Sequence, residues 1–399
     1  MIKEIVVGFW SLVTGTVACA TLPGSVELLG LSMAALLPRP MKPERRVSGL
    51  WRVAIVVPAH NEELSIASCI KSLQQAEHGE MQVEIFVVAD NCSDDTAALA
   101  KQAGASVLER TDATNRGKGY ALDFAFRSVE AMGFDCVLVV DADTTVAADF
   151  ILAAAGAMRD GAEAVQTRYV ARNAEDSTRT RLMALALRAF NVVRPLGRDN
   201  LGLSAGILGN GFGLRRETLE AVPYGASSVV EDLEYHLALV RSGHRVSFVN
   251  ETTVFGEMPV RGKGVETQRS RWEGGRLRML YEKAPGLLRD LLRGQGRCLE
   301  PLLELLLLPL AFHVILLAVA CTSPVPFIRW IAFAGVAVVL LHLAVTIVIG
   351  KGGWRDLATL ASAPFYIVWK LLLIPSLLHS ASSKQAWVRT TRNKEDDGD

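Results

Sequence analysis

Three hydrophobic patterns succeed one another along the chain. From Ile5 to Leu37 the residues are apolar with few breaks, chiefly Pro23, Gly24 and Glu27. Such a run exceeds the roughly 20 residues of one membrane span, but falls short of the about 40 plus a turn that two would need. One tilted or kinked transmembrane helix is therefore expected. Lys3 and the small trio Ala18-Cys19-Ala20 would also suit a cleaved signal peptide. The apolar region of such a peptide runs only about 7–15 residues, whereas this one continues to the basic residues Arg39, Lys42, Arg45 and Arg46. That basic stop places residues 38–50 on the cytoplasmic side.

Residues 51–285 change to short apolar runs alternating with helical patterns. VAIVV (53–57), VEIFVVA (83–89) and CVLVV (136–140) are continuous and rich in β-branched residues, and each ends in polar or acidic positions. Unbroken runs of this length predict strands buried on both faces of a mostly parallel sheet. Helical patterns at 62–76 and 94–103 separate them, which predicts an α/β, doubly wound domain. Ligands of open α/β sheets sit at the carboxyl ends of the strands.

The last third is apolar again. Residues 299–321 and 325–350 are each long enough to span, and 357–380 is weakened by Pro364, Lys370 and Pro375. Residues 285–298 read as a basic interfacial helix. Two spans return KGGWRD (351–356) to the cytoplasmic side. A third would put the basic tail outside, against the positive-inside rule. Either 357–380 is partly interfacial or re-entrant, or the rule is overruled. Four regions are thus expected: a membrane segment with its basic stop (1–50), a cytoplasmic domain (51–285), an interfacial helix with membrane segments (286–383) and a polar tail (384–399).

Composition narrows the function classes. Half of the 399 residues are hydrophobic, and 42 basic side chains balance 42 acidic ones, which argues against a nucleic-acid binder. Six scattered cysteines form no CxxC pair, so neither a zinc site nor a disulfide framework is expected. Glu304, His313, Arg329 and Lys370 read as isolated polar residues of the apolar segments. Without paired charges or matching broken helices, a transporter is disfavoured.

The strand ends carry the chemistry. After the first run come Pro58, Ala59 and Glu62; the second ends at Asp90; the third ends in Asp141-Ala142-Asp143. Carboxylates at successive strand ends converge on one crevice and call for a cation or polar ligand. Asp141 and Asp143 on an extended segment can offer oxygens to one hard divalent cation, with phosphate oxygens and water completing its shell. Asp94 and Asp95 are better read as caps of the helix that follows. Lys118 lies between Gly117 and Gly119 ahead of a helical stretch, which suits either a phosphate or an ordinary basic loop. The glycines of Gly209-Asn210-Gly211-Phe212-Gly213 would serve a ligand or tight turns. Glu231 and Asp232 open a helix, as dipole partners or with one as a general base. Gln268, Arg271 and Trp272 lie in a dense cationic stretch suited to a diphosphate or to anionic lipid.

Taken in order, the acidic strand end at Asp90, Asp141-x-Asp143, Glu231-Asp232 and Gln268-x-x-Arg271-Trp272 resemble the catalytic domain of membrane-bound family 2 glycosyltransferases. That group includes cellulose, hyaluronan, chitin and poly-N-acetylglucosamine synthases and ceramide glucosyltransferase. The resemblance implies a GT-A fold, a nucleotide-diphospho-sugar donor and Mg²⁺ or Mn²⁺. It implies that Asp90 contacts uracil and ribose beside Pro58, Ala59 and Glu62, and that Lys118 approaches the diphosphate. Asp141 and Asp143 would match the metal motif, with Asp143 the usual ligand. Asp232 would be the base and Glu231 its support, while Gln268, Arg271 and Trp272 would hold the diphosphate and border the acceptor. The implied reaction is a single inverting displacement.

Departures from the better-known members shape the expectation further. Asn91 follows Asp90 where many relatives carry a second aspartate, and Val230 stands where processive synthases often carry Thr. Three candidate C-terminal spans are few for a polymer channel. A single transfer to a lipid-linked acceptor in exopolysaccharide or cell-envelope glycan assembly is expected. A glycolipid (ceramide- or diacylglycerol-type) glucosyltransferase comes second, ahead of a processive synthase, a nucleotide-binding relative without catalysis or a transporter.

Overall fold

The structure, a computed structural model, describes residues 1–38, 50–226, 228, 230–258 and 263–372, without the side chains of 263–271, 369 and 372. The basic residues 39–46, the segment beyond Leu372 and the polar tail lie outside the described residues, as do the side chains of Gln268 and Arg271.

Helix α1 (Ile2–Ala35) precedes a domain of alternating elements. In order these are β1 (Arg52–Ala59), α2 (Ile66–Gln74), β2 (Gln82–Asp90), α3 (Thr96–Gln102), β3 (Ser106–Arg110), α4 (Lys118–Glu130), β4 (Cys136–Val139), β5 (Thr144–Val146), α5 (Phe150–Arg159) and β6 (Ala164–Ala171). Helices α6 (Thr178–Arg188) and α7 (Arg194–Asn200) follow, joined by a π-helical turn, then β7 (Phe212–Arg215), α8 (Arg216–Ala221), α9 (Glu231–Ser242) and β8 (Val246–Gly256). The chain ends in α10 (Lys263–Leu292), α11 (Leu299–Leu306), α12 (Leu310–Cys321), α13 (Pro326–Ile349), α14 (Trp354–Leu360) and α15 (Ala363–Leu372).

The strands form one sheet in the order β3-β2-β1-β4-β7-β6-β8-β5. β1 pairs in parallel with β2 and β4, and β2 with β3, as the three apolar runs predict. Val53, Ile55 and Val57 pack on one face with Ile70 and Ile151, while Ala54 and Val56 pack on the other with Leu122 and Phe126. Helices on both faces explain why these strands read as continuous rather than alternating. β7 runs antiparallel to both β4 and β6, so the far side of the sheet is mixed. That reversal carries the loop 201–211 back to the carboxyl end of β4.

α1 is one 34-residue helix carried through Pro23, as expected, and α13 has 24 residues. Both are long and apolar enough to cross a membrane. The stretch 299–321 is not one straight span: α11 and α12 meet at a 76° bend. Pro309 sits at the break as N-cap of α12, where its ring and missing N–H stop a helix continuing from α11. α10 runs on through Pro285, so the boundary expected at 285 falls inside one helix.

The four polar residues of the apolar segments are not isolated. Glu304 pairs with Arg198 at 3.1 Å and with Arg194 and Arg276, and Lys370 pairs with Glu273. The His313 ring bonds Ser25 at 3.1 Å, and Arg329 donates to the Ser323 carbonyl at 3.2 Å. All but the last of these partners lie more than 25 residues away along the chain, beyond the reach of a hydropathy window.

Candidate active site

The carboxyl ends of β1, β2 and β4 make the floor of the site. Asn61 and Asn91, just past two of those ends, both adopt left-handed backbone, with φ of 55° and 51°. Asparagine tolerates that conformation because its short amide bonds locally. Asn61 Oδ1 accepts the Ser93 N–H at 2.8 Å, and Asn91 Oδ1 accepts the Asp112 N–H at 2.9 Å. The two turns are thereby locked to each other and to the loop leaving β3.

Asp90 is buried at the end of β2, and Arg110 at the end of β3 donates to its Oδ1 at 2.6 Å. Arg110 also reaches Asp112 at 3.0 Å and the Asn115 carbonyl at 2.8 Å. It therefore ties the acidic strand end to the loop that leads into Lys118. Pro58 and Ala59 finish β1 opposite Val88 and Ala89. Glu62 is buried, its N–H donating to Thr96 Oγ1 at 2.7 Å and its carboxylate accepting the Ser65 hydroxyl at 2.9 Å. Asp94 does act as a local cap, accepting the Thr96 N–H at 3.1 Å, whereas Asp95 holds the N-cap position of α3 without a side-chain bond.

Lys118 begins α4, entered through Gly117 at φ 128°. Its ammonium pairs with Asp141 and donates to the Gly209 carbonyl at 2.6 Å. Burial alone would lower its pKa, but Asp141, Glu231 and Asp232 together hold it above the ordinary lysine value. Gly119 has no room for a Cβ, which would strike the Ala226 carbonyl oxygen. The absent side chain lets α4 close on the loop before Glu231.

Asp141 is held from behind: its N–H donates to Asn210 Oδ1 at 3.1 Å, and the Asn210 amide donates to Thr144 Oγ1 at 2.8 Å. Asp143 lies between, half-buried, and accepts the Thr144 hydroxyl at 3.3 Å. Fully buried Gln166 then clamps the glycine loop, donating to the Asn210 carbonyl and accepting the Leu208 N–H, each at 2.8 Å. Gly209, at φ 78°, lets Asp232 Oδ2 lie within 3.2 Å of where its Cβ would stand. Asp232 accepts the Leu233 N–H at 2.8 Å in the first turn of α9. Burial pushes its pKa up and Asp141 adds to the rise, against the opposing pull of the Leu233 N–H and Lys118. A carboxylate raised in this way is a better proton acceptor near neutrality.

The structure thus brings Lys118, Asp141 and Asp232 together around Gly209, with Asp143 beside them and Asp90, Pro58, Ala59 and Glu62 at the adjoining strand ends. Glu231 precedes Asp232 at the start of α9, and Trp272 lies on α10 with about a third of its surface exposed. Arg110, Asn61, Gln166 and Asn210 went unremarked as site residues in the sequence. Asn210 sits within a noted glycine motif, but nothing in its spacing marks it as a partner of Asp141.

Residues 51–275 match the model of the family described as "Glycosyltransferase like family 2". The chain belongs to that family. Among curated relatives, a probable glycosyltransferase, YdaM, of Bacillus subtilis is 28% identical over 57% of this chain and 55% of its own length. A beta-monoglucosyldiacylglycerol synthase of a Nostoc species is 29% identical over 68% of this chain and 60% of its own length. The chain thus spans under two thirds of these relatives. Among solved structures, the mannosyltransferase PcManGT from Pyrobaculum calidifontis, in complex with GDP-Man and Mn²⁺, aligns with a TM-score of 0.55 and 17% identity. It covers 93% of this chain and 97% of its own, which establishes the fold expected from the strand pattern.

Proposed function

We propose that this glycosyltransferase moves a sugar from a nucleotide-diphospho-sugar, with UDP as the favoured nucleotide, to a lipid-linked or membrane acceptor in cell-envelope glycan assembly. The observation that carries the reading is the junction of Lys118, Asp141 and Asp232 at Gly209. It places a cation suited to a leaving diphosphate beside a carboxylate suited to an acceptor proton.

Asp90, Pro58, Ala59 and Glu62 stand where a nucleoside would bind, at the carboxyl ends of β1 and β2. Asp141 and Asp143 offer hard carboxylate oxygens. Among the described residues no group of three or more His, Cys, Asp or Glu forms a protein-only metal cage. That donor set fits Mg²⁺ or Mn²⁺ sharing its shell with phosphate oxygens and water. Such an ion, when bound, would offset charge on the diphosphate.

In the reaction Asp232 takes the proton of the acceptor hydroxyl as that oxygen bonds to the anomeric carbon. The bond from this carbon to the diphosphate breaks, and the nucleoside diphosphate leaves with the electron pair. One displacement inverts the anomeric centre, so an α-linked hexosyl donor gives a β-glycoside. Lys118 stabilises the departing charge, assisted by Arg271 and Gln268, with Trp272 beside the acceptor and Glu231 supporting Asp232. The domain 51–285 would lie on the cytoplasmic side of the inner or plasma membrane, between α1 and the C-terminal helices.

A glycolipid synthase is the second reading, favoured by the similarity to the diacylglycerol-glucosylating enzyme of Nostoc. Both readings are tested by incubating detergent-solubilised protein with UDP- and GDP-sugars, Mn²⁺ or Mg²⁺, and either diacylglycerol or a polyprenyl phosphate. Nucleotide release that needs one lipid class identifies the acceptor. No release with any donor and lipid pair contradicts the transferase assignment.

A further inference from the structure

One turn of α10 touches both the start of α9 and the membrane-side helices. Gly275 packs on Val230: a Cβ at 275 would lie 2.7 Å from Val230 Cγ1 and 3.4 Å from Cγ2. Val230 is the N-cap residue of α9, directly ahead of Glu231 and Asp232. On the same turn Glu273 pairs with the buried Lys370 of α15, whose ammonium lies 5.4 Å from the centre of the Phe312 ring of α12. One turn on, Arg276 donates to the Glu304 main-chain carbonyl of α11 and approaches its carboxylate at 3.5 Å.

Glu304 belongs to a larger buried set. Arg194 and Arg198 of α7 both reach it, at 3.7 Å and 3.1 Å, and both reach Glu27 in the last third of α1, at 3.1 Å and 3.3 Å. Arg198 also pairs with Glu300. Three arginines and three glutamates therefore join α1, α7, α10 and α11. Buried ion pairs contribute little net stability over apolar packing, but each demands its partner in place. A network of that kind specifies position more than it adds stability.

We propose that residues 273–276 of α10 are a coupling element, with Glu273, Gly275 and Arg276 as positioning residues that fix the Glu231-Asp232 turn relative to the membrane helices and so to a lipid acceptor. The proposal rests on Asp232 acting on the acceptor, as set out above. An acceptor anchored in a bilayer presents its hydroxyl at a fixed depth. The base must therefore be referenced to the spans rather than to the sheet alone. Glycine at 275 supplies the close approach to α9, and the two ion pairs hold the helix there.

Two compensated pairs test this in the full-length protein. Gly275→Ala is expected to lower kcat for lipid transfer about ten- to hundred-fold, the scale of a misplacement near 1 Å, with the donor KM within about two-fold. Adding Val230→Ala should restore most of the rate by returning the space. Glu273→Lys and Lys370→Glu should each impair transfer and the double swap should recover it, with Lys370→Met as a milder variant where the glutamate prevents folding. Hydrogen exchange across 228–236, measured without substrates, should rise in each single variant and fall back in the paired ones. Single variants with wild-type kcat and exchange, or pairs no better than their worse member, overturn the proposal. If the wild type transfers nothing, exchange alone decides the coupling, and the failed assay counts against the transferase reading instead.

Discussion

The two sides of the candidate site are built in different ways. The side proposed to bind the donor is made of strand ends that lie close in sequence order, with Asp90, Lys118, Asp141 and Asp143 all inside one stretch of consecutive βα units. Its bonds tie the strand ends to one another and to the loops that follow them: Arg110 to Asp90, Asn61 to Ser93 and, from farther along the chain, Asn210 to Asp141. The side proposed for the acceptor is assembled from helices instead of strand ends, with Val230 against Gly275 and Arg276 against Glu304, and its ion pairs reach as far along the chain as Glu273 to Lys370 and Arg198 to Glu27. A sheet edge can hold a soluble nucleotide unaided. A membrane-bound acceptor needs a base whose position is tied to the spans.

Separating binding from transfer should show the largest difference between the two sides. Asp232→Asn should lower kcat by about 10²- to 10⁴-fold, the usual contribution of a general base, while donor affinity stays near wild type in calorimetric titration. Equal loss of donor affinity would break the division between the two sides. Lys118→Met comes next. It removes the cation proposed to face the diphosphate and should reduce kcat by roughly 10²-fold, as loss of a charge-stabilising donor does. Steady-state rates with donors of different leaving-group charge would check it.

Arg198→Met probes the membrane-side network. It strands Glu27, Glu300 and Glu304 without one of their cations, and breaking a buried pair in this way costs about 3–5 kcal/mol. A fall in the thermal midpoint, with donor affinity retained, is expected; an unchanged midpoint would show that the network is dispensable. The smallest effect concerns pH. Burial raises the folded-state pKa of Asp232, so the base is lost on acidification at a pH above the ordinary aspartate value of about 3.9. The acidic limb of kcat/KM, which reports the free enzyme, should lie above that value. A limb at or below it would mean that Asp232 is not the titrating base.

The proposed donor side was largely legible in the sequence because Asp90, Asp141 and Asp143 follow short β-branched apolar runs that read as buried strands. Asp90 and Asp141 were placed by that rule alone. The general-base turn was legible as a helix start, though only the fold sets Asp232 against Gly209 and Lys118. The membrane side was not legible. Glu304 and Lys370 read as isolated because their partners, Arg198 and Arg276 for the first and Glu273 for the second, lie well outside one apolar segment, and a hydropathy pattern records no pairing. The break at Pro309 was masked by the leucines on either side of it, which keep the average apolar. Gln166 and Arg110 sit in strands whose pattern gives no hint that their side chains serve a loop.

The most direct test of the account is donor titration and turnover in parallel for wild type, Asp232→Asn and Asp143→Ala, with Mn²⁺ present. Asp232→Asn is expected to bind the donor like wild type yet transfer almost nothing, whereas Asp143→Ala is expected to lose cation-dependent binding. Transfer surviving in Asp232→Asn, or donor binding lost equally in both variants, would contradict it.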